Sequence, residues 1–130
     1  MVAVVDETLF ASLDPVALRG SACQDCGAHV FPAIATCPVC TGVDVDEVAL
    51  PATGTVWSWT TQHVQPKEPF RTDAFAPFSI GYVDLGPVIV EGWLAGRTTW
   101  EIGEPVRLVL AKAWTEDDVV VHTYAFEADR

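Results

Sequence analysis

Residues 23–40 read CQDCGAHVFPAIATCPVC and contain all four cysteines of the chain, as two C-x-x-C pairs separated by ten residues. Each pair places two sulfurs on one side of a tight turn, and two such turns close a tetrahedron of thiolates about 2.3 Å from a zinc ion. Gly27 follows the first pair, where the chain needs a positive φ to leave the turn, and Pro38 fixes the backbone inside the second pair. The stretch therefore predicts a zinc ribbon. Its ligands would be the thiolates of Cys23, Cys26, Cys37 and Cys40.

Two other uses of these cysteines fit less well. Disulfides need an oxidising compartment, and the N-terminal sequence MVAVVDETLF lacks the basic leader of an exported chain. A thioredoxin-like C-x-x-C stands alone beside a βαβ unit, whereas two pairs occur here without a helical pattern around them. Because four thiolates fill the coordination sphere of zinc, we expect one structural zinc ion per chain and no catalytic metal.

Composition and charge narrow the class of protein further. The chain has 130 residues, 50% hydrophobic composition and a mean hydropathy of +0.27, which suit a globular domain with a real core. No apolar run is long enough to span a membrane, so a cytoplasmic location is expected. The formal charge of −11 disfavours a nucleic-acid partner, since proteins that bind phosphate backbones carry the opposite balance.

The period-two pattern of the C-terminal part predicts a mainly β protein. We expect a helical segment over residues 1–17, around LFASL, then the zinc ribbon over 18–43, an acidic linker DVDEVAL, and a β-domain over 48–130. Alternating apolar residues with Gly and Pro between them indicate five strands. These are 54–61, 78–85, 88–95, 105–114 and 119–128. Five strands with a long first connection favour the Greek-key OB-fold barrel.

Aromatic and basic residues are the candidates for ligand binding. Trp57 and Trp59 lie two apart on one predicted strand and are expected on the same face, with Trp93 joining them from a neighbouring strand. They would form a flat wall for an acyl chain or an adenine ring, or simply fill the barrel. Lys67 and Arg71 lie in the connection over 62–77, and they would meet phosphates or remain two solvated charges.

Neither the histidines nor the cysteines suggest catalysis. The cysteines are occupied by the metal in this interpretation, and no serine or cysteine nucleophile pairs with His29, His63 or His122 in the sequence. We therefore predict no catalytic residue. The apolar strand of the ribbon offers Val30, Phe31 and Ile34 as a docking surface for a partner protein.

Four stretches together resemble a known family. LRGSACQDCGAHVFPAIATCPVC is similar to its rubredoxin-like zinc ribbon, PATGTVWSWTT to its first barrel strand, and PFSIGYVDL and IGEPVRLVL to two later strands. This is the OB-fold acyl-CoA-associated family, also called domain of unknown function family 35. The resemblance covers about residues 17–128. Ala52 departs from the pattern, since the family has glycine there.

The resemblance implies a fold and a role. The fold is an N-terminal helical piece, a zinc ribbon and an OB-fold barrel, with the four cysteines as zinc ligands. The role is that of a non-catalytic subunit in a hetero-oligomer with a thiolase-like protein, either a thiolase or an aldolase, or with a hydratase, in which the small subunit helps to bind or channel acyl-CoA. The alternative from another class is a single-stranded nucleic-acid-binding OB protein.

Overall fold

The computed structural model describes residues 3–63 and 77–129, and its regular structure there is β-strand apart from a 3₁₀ turn over Glu7–Leu9. Within these ranges the strands are β1 (Ala3–Val4), β2 (Phe10–Leu13), β3 (Val16–Cys23), β4 (His29–Val30), β5 (Val45–Ala49), β6 (Thr53–Gln62), β7 (Phe78–Asp84), β8 (Ile89–Leu94), β9 (Pro105–Glu116) and β10 (Val119–Ala128). The mainly β class is confirmed. No helix in the described ranges is long and apolar enough to cross a membrane.

β3 organises the N-terminal sheet. It pairs antiparallel with β2, with β4 and with β5. Gly20 allows this crowding, because a Cβ there would lie 2.8 Å from the carbonyl oxygen of Val30. The acidic stretch expected as a linker forms β5 instead. Its backbone pairs with β3, and the side chains of Asp46 and Glu47 can remain exposed to solvent there.

The predicted helical segment over residues 1–17 is wrong. The helical structure in the described part of this segment is limited to the 3₁₀ turn, which Asp6 caps by accepting a hydrogen bond of 2.9 Å from the backbone N–H of Thr8. The chain then enters β2, where Phe10 is buried and pairs with Leu18 of β3. Pairing with β3 gives β2 backbone partners and Phe10 is buried there, and these gains outweigh the weak helical propensity of FASL.

The five predicted C-terminal strands are confirmed, and they close into an OB-fold barrel. The order is β10-β8-β7-β6-β9, and β9 pairs again with β10 to complete the circle. The hairpins are antiparallel, whereas β8 and β10 run parallel where Trp93 pairs with Ala125. β1 adds a parallel strand to β10 with Ala3 opposite Val121. The N-terminal segment therefore lies along the side of the barrel.

The ribbon and the barrel share one hydrophobic core. Phe10, Leu18 and Leu50 from the N-terminal part are buried in the same cluster as barrel residues of all five strands. The barrel contributes Val56, Val83, Val90, Leu94, Val106, Leu108 and Phe126 to this cluster. Because Leu18 lies on the strand that ends at Cys23, the core fixes the position of the metal centre relative to the barrel.

Candidate metal centre and barrel surfaces

The first cysteine turn begins where β3 ends. The backbone N–H of Cys23 donates to the carbonyl of Ala28, and the N–H of Gly27 donates to the carbonyl of Cys23, both at 2.9 Å. These bonds fold the chain back on itself, so that Cys26 points to the same side as Cys23. Gly27 has φ of 79°, the left-handed value predicted for the residue that leaves the turn.

The second cysteine turn repeats the first in its backbone bonds. The N–H of Cys37 donates to the carbonyl of Gly42, and the N–H of Thr41 donates to the carbonyl of Cys37, again at 2.9 Å. Thr41 therefore stands where Gly27 stands in the first turn, and it takes the same left-handed backbone with φ of 61°. A β-branched residue in this conformation is strained.

The four sulfurs converge on one point. The Cys23 and Cys40 sulfurs are 3.6 Å apart, as are those of Cys26 and Cys37, and all four lie within 4.8 Å of one another. A tetrahedron with zinc–sulfur bonds of about 2.3 Å has edges of about 3.8 Å. The arrangement thus fits one zinc ion, and it provides all four ligands.

Backbone N–H groups prepare the sulfurs for this role. Those of Cys40 and Val39 point to the Cys37 sulfur and lower the pKa of its thiol to about 7. The N–H of Gly42 acts in the same direction on Cys40, but the neighbouring sulfurs of Cys23 and Cys26 outweigh it and raise the pKa of Cys40 to about 12. Four negative charges this close need a cation between them, and a divalent metal provides it.

The strip between the two cysteine turns is held by a buried serine. The Ser21 hydroxyl donates to the carbonyl of Ile34 at 3.0 Å and accepts from its N–H at 2.8 Å. Of the predicted docking residues, Val30 is half-buried, and Phe31 packs edge-on against Tyr124 of the barrel at 5.8 Å between ring centroids. Ile34 is 44% exposed. Docking through the ribbon stays a prediction, and Phe31 is already engaged within the chain.

The predicted wall of Trp57 and Trp59 does not form. Val56 pairs with Val83 and Ser58 with Tyr82, so a β-bulge inserts Trp57 as an extra residue in β6. Trp57, which follows buried Val56, points outward and is 56% exposed, whereas the shift at the bulge turns Trp59 toward the core. The expectation of a common face was wrong because the bulge breaks the period of two. Lys67 and Arg71 lie outside the described residues.

Trp93 lies in a groove that the sequence did not indicate. Its ring contacts Phe78 at 6.3 Å, and it lines a groove of about 220 Å³ beside Trp114. Val5 and Leu9 of the N-terminal segment line the same groove. The parallel pairing of β1 with β10, continued by the hydrogen bond from the N–H of Val5 to the carbonyl of His122, brings Val5 there.

Tyr124 links this groove to the ribbon. Its hydroxyl donates to the carbonyl of Glu91 at 2.5 Å, and its ring covers Gly92 and contacts Phe31. Burial first, and then the charge of the Glu91 carboxylate, raise the pKa of Tyr124 to about 12. The ring is therefore a neutral wall of the groove at physiological pH, with its hydrogen bond satisfied.

The three histidines are dispersed. His29 shares a hydrogen bond of 3.1 Å with the carbonyl of Gly27, and His122 one of 3.3 Å with the carbonyl of Ala3. His63 is exposed at the end of the first described range. The rings of His29 and His122 thus each form a hydrogen bond to a backbone carbonyl.

Known protein families match both halves of this architecture. The sequence profile of the ChsH2 rubredoxin-like zinc ribbon domain matches residues 15–47, and that of the ChsH2 C-terminal OB-fold domain matches residues 47–111. Among curated proteins, the benzoylsuccinyl-CoA thiolase subunit BbsA of Thauera aromatica is 31% identical over 68 residues, 52% of this chain and 44% of that protein. A DUF35 domain-containing scaffold protein of Methanocaldococcus jannaschii is 32% identical over 69 residues, 52% of this chain and 47% of that protein. This chain thus spans about half the length of these relatives.

Solved structures show the same fold over most of the chain. The Ltp2-ChsH2(DUF35) aldolase contains a chain that superposes with a TM-score of 0.65 at 26% identity, covering 86% of this chain and 84% of that one. A DUF35-family protein of unknown function from Sulfolobus solfataricus superposes with a TM-score of 0.57 at 17% identity, covering 95% and 84% of the two chains.

Proposed function

This chain belongs to the family of ChsH2 proteins with a rubredoxin-like zinc ribbon and an OB-fold domain, and we propose that it is a non-catalytic subunit of an acyl-CoA-processing thiolase or thiolase-like aldolase complex. In this proposal the partner carries the reaction. The small subunit completes and stabilises the partner in a cytoplasmic hetero-oligomer.

The closed sulfur tetrahedron is the observation that carries the proposal. Zinc bound by four thiolates has no open position for a water or a substrate carbonyl, so its contribution is to hold the ribbon in shape. What remains in the described residues is a small barrel with surfaces suited to contact. The relatives support the same role, because one is named a thiolase subunit, one a scaffold protein, and one is part of an aldolase.

Direct contact with the acyl group is the finer part of the proposal. The groove beside Trp93 is lined mostly by apolar side chains, including Val5 and Leu9 of the N-terminal segment, which suits an acyl chain. Lys67 and Arg71 are the bases proposed for the phosphates of the CoA moiety. Calorimetry with acyl-CoAs of several lengths tests this, using the wild-type chain and Trp93→Ala. Absence of heat for both the free chain and the complex would remove direct binding.

Nucleic-acid binding is the less favoured function. OB barrels that bind single strands combine aromatic platforms with a basic groove, whereas this chain carries a formal charge of −11. Fluorescence anisotropy with single-stranded oligonucleotides at physiological salt is the control experiment. Micromolar affinity there would favour this alternative.

Co-expression with the thiolase-like protein from the same organism tests the main proposal. We expect the two chains to co-purify through an affinity tag and size exclusion at a fixed stoichiometry. We also expect the thiolase-like protein expressed alone to lose activity or to aggregate. If it is fully active alone and never co-purifies, the accessory role is wrong. Elemental analysis of the complex should give one zinc per copy of this chain.

A further inference from the structure

One face of the barrel exposes four large apolar side chains close together. They are Trp57, Tyr82, Ile89 and Ile102, and together we call them the Trp57 face. The first three lie on the outer surfaces of β6, β7 and β8, and the fourth is in the turn before β9. Isolated apolar residues on a surface need no explanation, but a contiguous group on one face often marks an interaction site.

Contacts and register make this group contiguous. The rings of Trp57 and Tyr82 meet edge-on at 6.2 Å. Tyr82 pairs with Glu91 across β7 and β8, and Asp84 pairs with Ile89, so Ile89 is the diagonal neighbour of Tyr82 on the same face.

A backbone hydrogen bond between the turn before β9 and β6 holds Ile102 near Trp57. Ile102 precedes Gly103, whose N–H donates to the carbonyl of Val56 at 2.7 Å, and Val56 is the residue before Trp57. At 68%, its side chain is among the more exposed apolar ones of the described residues.

A β-bulge in β6 lies at the largest of these side chains, Trp57. Val56 is buried, so the alternation of the strand places the next residue, Trp57, on the outer surface, where it is 56% exposed. The residue inserted at the bulge then turns Trp59 toward the core, so Trp57 stands on the outer surface without it. Tryptophan is among the residue types most enriched at interface hot spots, and this one lies in solvent.

The rim of the Trp57 face is acidic. Glu91 lies beside Tyr82, Asp84 is opposite Ile89, and Glu101 precedes Ile102. Arg97 in the same turn region is paired with the Glu104 carboxylate and stacks on Trp100 at 4.3 Å, so it is already engaged. An apolar centre with an acidic rim is complementary to a surface with an apolar centre and lysine or arginine at its edge.

We propose that the Trp57 face is the surface through which this chain docks on its thiolase-like partner, against an apolar patch with a basic rim. This inference rests on the function proposed above and names the surface that would serve it. A second copy of the chain is the less favoured occupant, because two such faces would bring acidic rims together on molecules that each carry a formal charge of −11.

Single substitutions on exposed positions test the proposal without damaging the core. Trp57→Ser and Ile102→Ser each remove an exposed apolar side chain from the face. Ile34→Ser and Val39→Ser on the ribbon are matched controls, because their side chains are 44% and 71% exposed on the other part of the chain. Affinity for the purified thiolase-like protein is measured by calorimetry at two salt concentrations, and circular dichroism checks the fold of each variant.

The expected result is a selective loss of affinity. Trp57→Ser should raise Kd by about 30-fold, as expected for a hot-spot residue, and the ribbon variants should bind within about threefold of wild type. Glu101→Lys should slow association, and the wild-type association rate should fall as salt increases.

Three outcomes would overturn the inference. If wild type binds and Trp57→Ser binds equally well, docking occurs elsewhere, although the proposed function stands. Loss of affinity in Ile34→Ser alone would assign docking to the ribbon. Light scattering that shows a wild-type homodimer dispersed by Trp57→Ser would make a second copy the occupant. If wild type itself does not bind the thiolase-like protein, it is the proposed function that fails.

Discussion

Exchange of the residues that leave the two cysteine turns is expected to change stability in opposite directions. Gly27 and Thr41 occupy equivalent places, since each donates its N–H to the first cysteine of its own pair and has a positive φ. Gly27→Ala places a Cβ where the left-handed backbone disfavours it, whereas Thr41→Gly removes a β-branched side chain from the same conformation. The two substitutions should therefore destabilise and stabilise the fold respectively.

The magnitudes follow from the backbone alone. A Cβ at Gly27 would meet no atom within 4 Å, so only the conformational cost of about 1–2 kcal/mol applies, less about 0.4–1 from the stiffer unfolded chain. The net loss is about 1 kcal/mol. Thr41→Gly reverses these terms and also loses the exposed bond from the Thr41 hydroxyl to the carbonyl of Cys40. Its net gain should be about 0.5–1 kcal/mol.

Urea denaturation in excess zinc measures both effects, with Gly27→Ala and Thr41→Gly compared with wild type at the same metal concentration. In thermal denaturation of a chain of this length, a change of about 1 kcal/mol in the free energy of unfolding would shift Tm by about 4 °C. The double variant should lie near wild type, because the two substitutions change the backbone free energy in opposite directions by similar amounts. If both substitutions destabilise by similar amounts, the two turns do not share the backbone geometry described above, and the reasoning is refuted.

Three further predictions concern the barrel and the metal. Gly81→Ala would place a Cβ 2.4 Å from the carbonyl oxygen of Ser58, and Gly92→Ala would place one 2.8 Å from the ring of Tyr124. Because the ring can shift and the backbone carbonyl cannot, urea denaturation should show a larger loss of unfolding free energy for Gly81→Ala, about 3 kcal/mol, than for Gly92→Ala. Burial and the Glu91 charge raise the pKa of Tyr124 from 10.0 to about 12, so wild type should lose stability as pH rises from about 10 through 12. Denaturation curves at each pH should show that Tyr124→Phe lacks this part of the loss. If the free energy of unfolding falls equally with pH in both proteins, the prediction is contradicted. Chelation of the metal should lower the Tm of the whole chain in a single transition, in which tryptophan fluorescence and thiol reactivity change together. If the thiols become reactive while the fluorescence transition keeps its Tm, the barrel does not depend on the ribbon.

Local chemistry made the metal centre and the strands predictable. The cysteine spacing brings four ligands together within eighteen residues, and the geometry depends mainly on bonds inside each turn. The barrel strands were predicted because each alternates along its own length, for example Val106 and Leu108 pointing inward beside exposed Arg107. Both signals are contained in short segments, which is why the sequence alone was sufficient.

Long-range pairing explains what the sequence did not predict. β2 and β5 are strands because β3 offers them backbone partners. The sequence pattern of neither segment predicts a strand. The groove at Trp93 needs Val5, which is adjacent only through the pairing of β1 with β10. The opposite directions of Trp57 and Trp59 depend on one inserted residue, and an inserted residue is invisible in a period-two pattern.

The shared core gives the metal centre a role beyond the ribbon. Leu18 is buried among barrel residues, and five positions later on the same strand Cys23 contributes its sulfur to the metal centre. Binding of zinc therefore fixes the end of β3, and β3 in turn positions β4 and the following Phe31 against Tyr124 at the groove. A metal held by four thiolates can thus affect the shape of the groove proposed to bind the acyl group, because one strand connects the two. Because one strand connects them, we expect the metal centre and the groove to unfold as one cooperative unit.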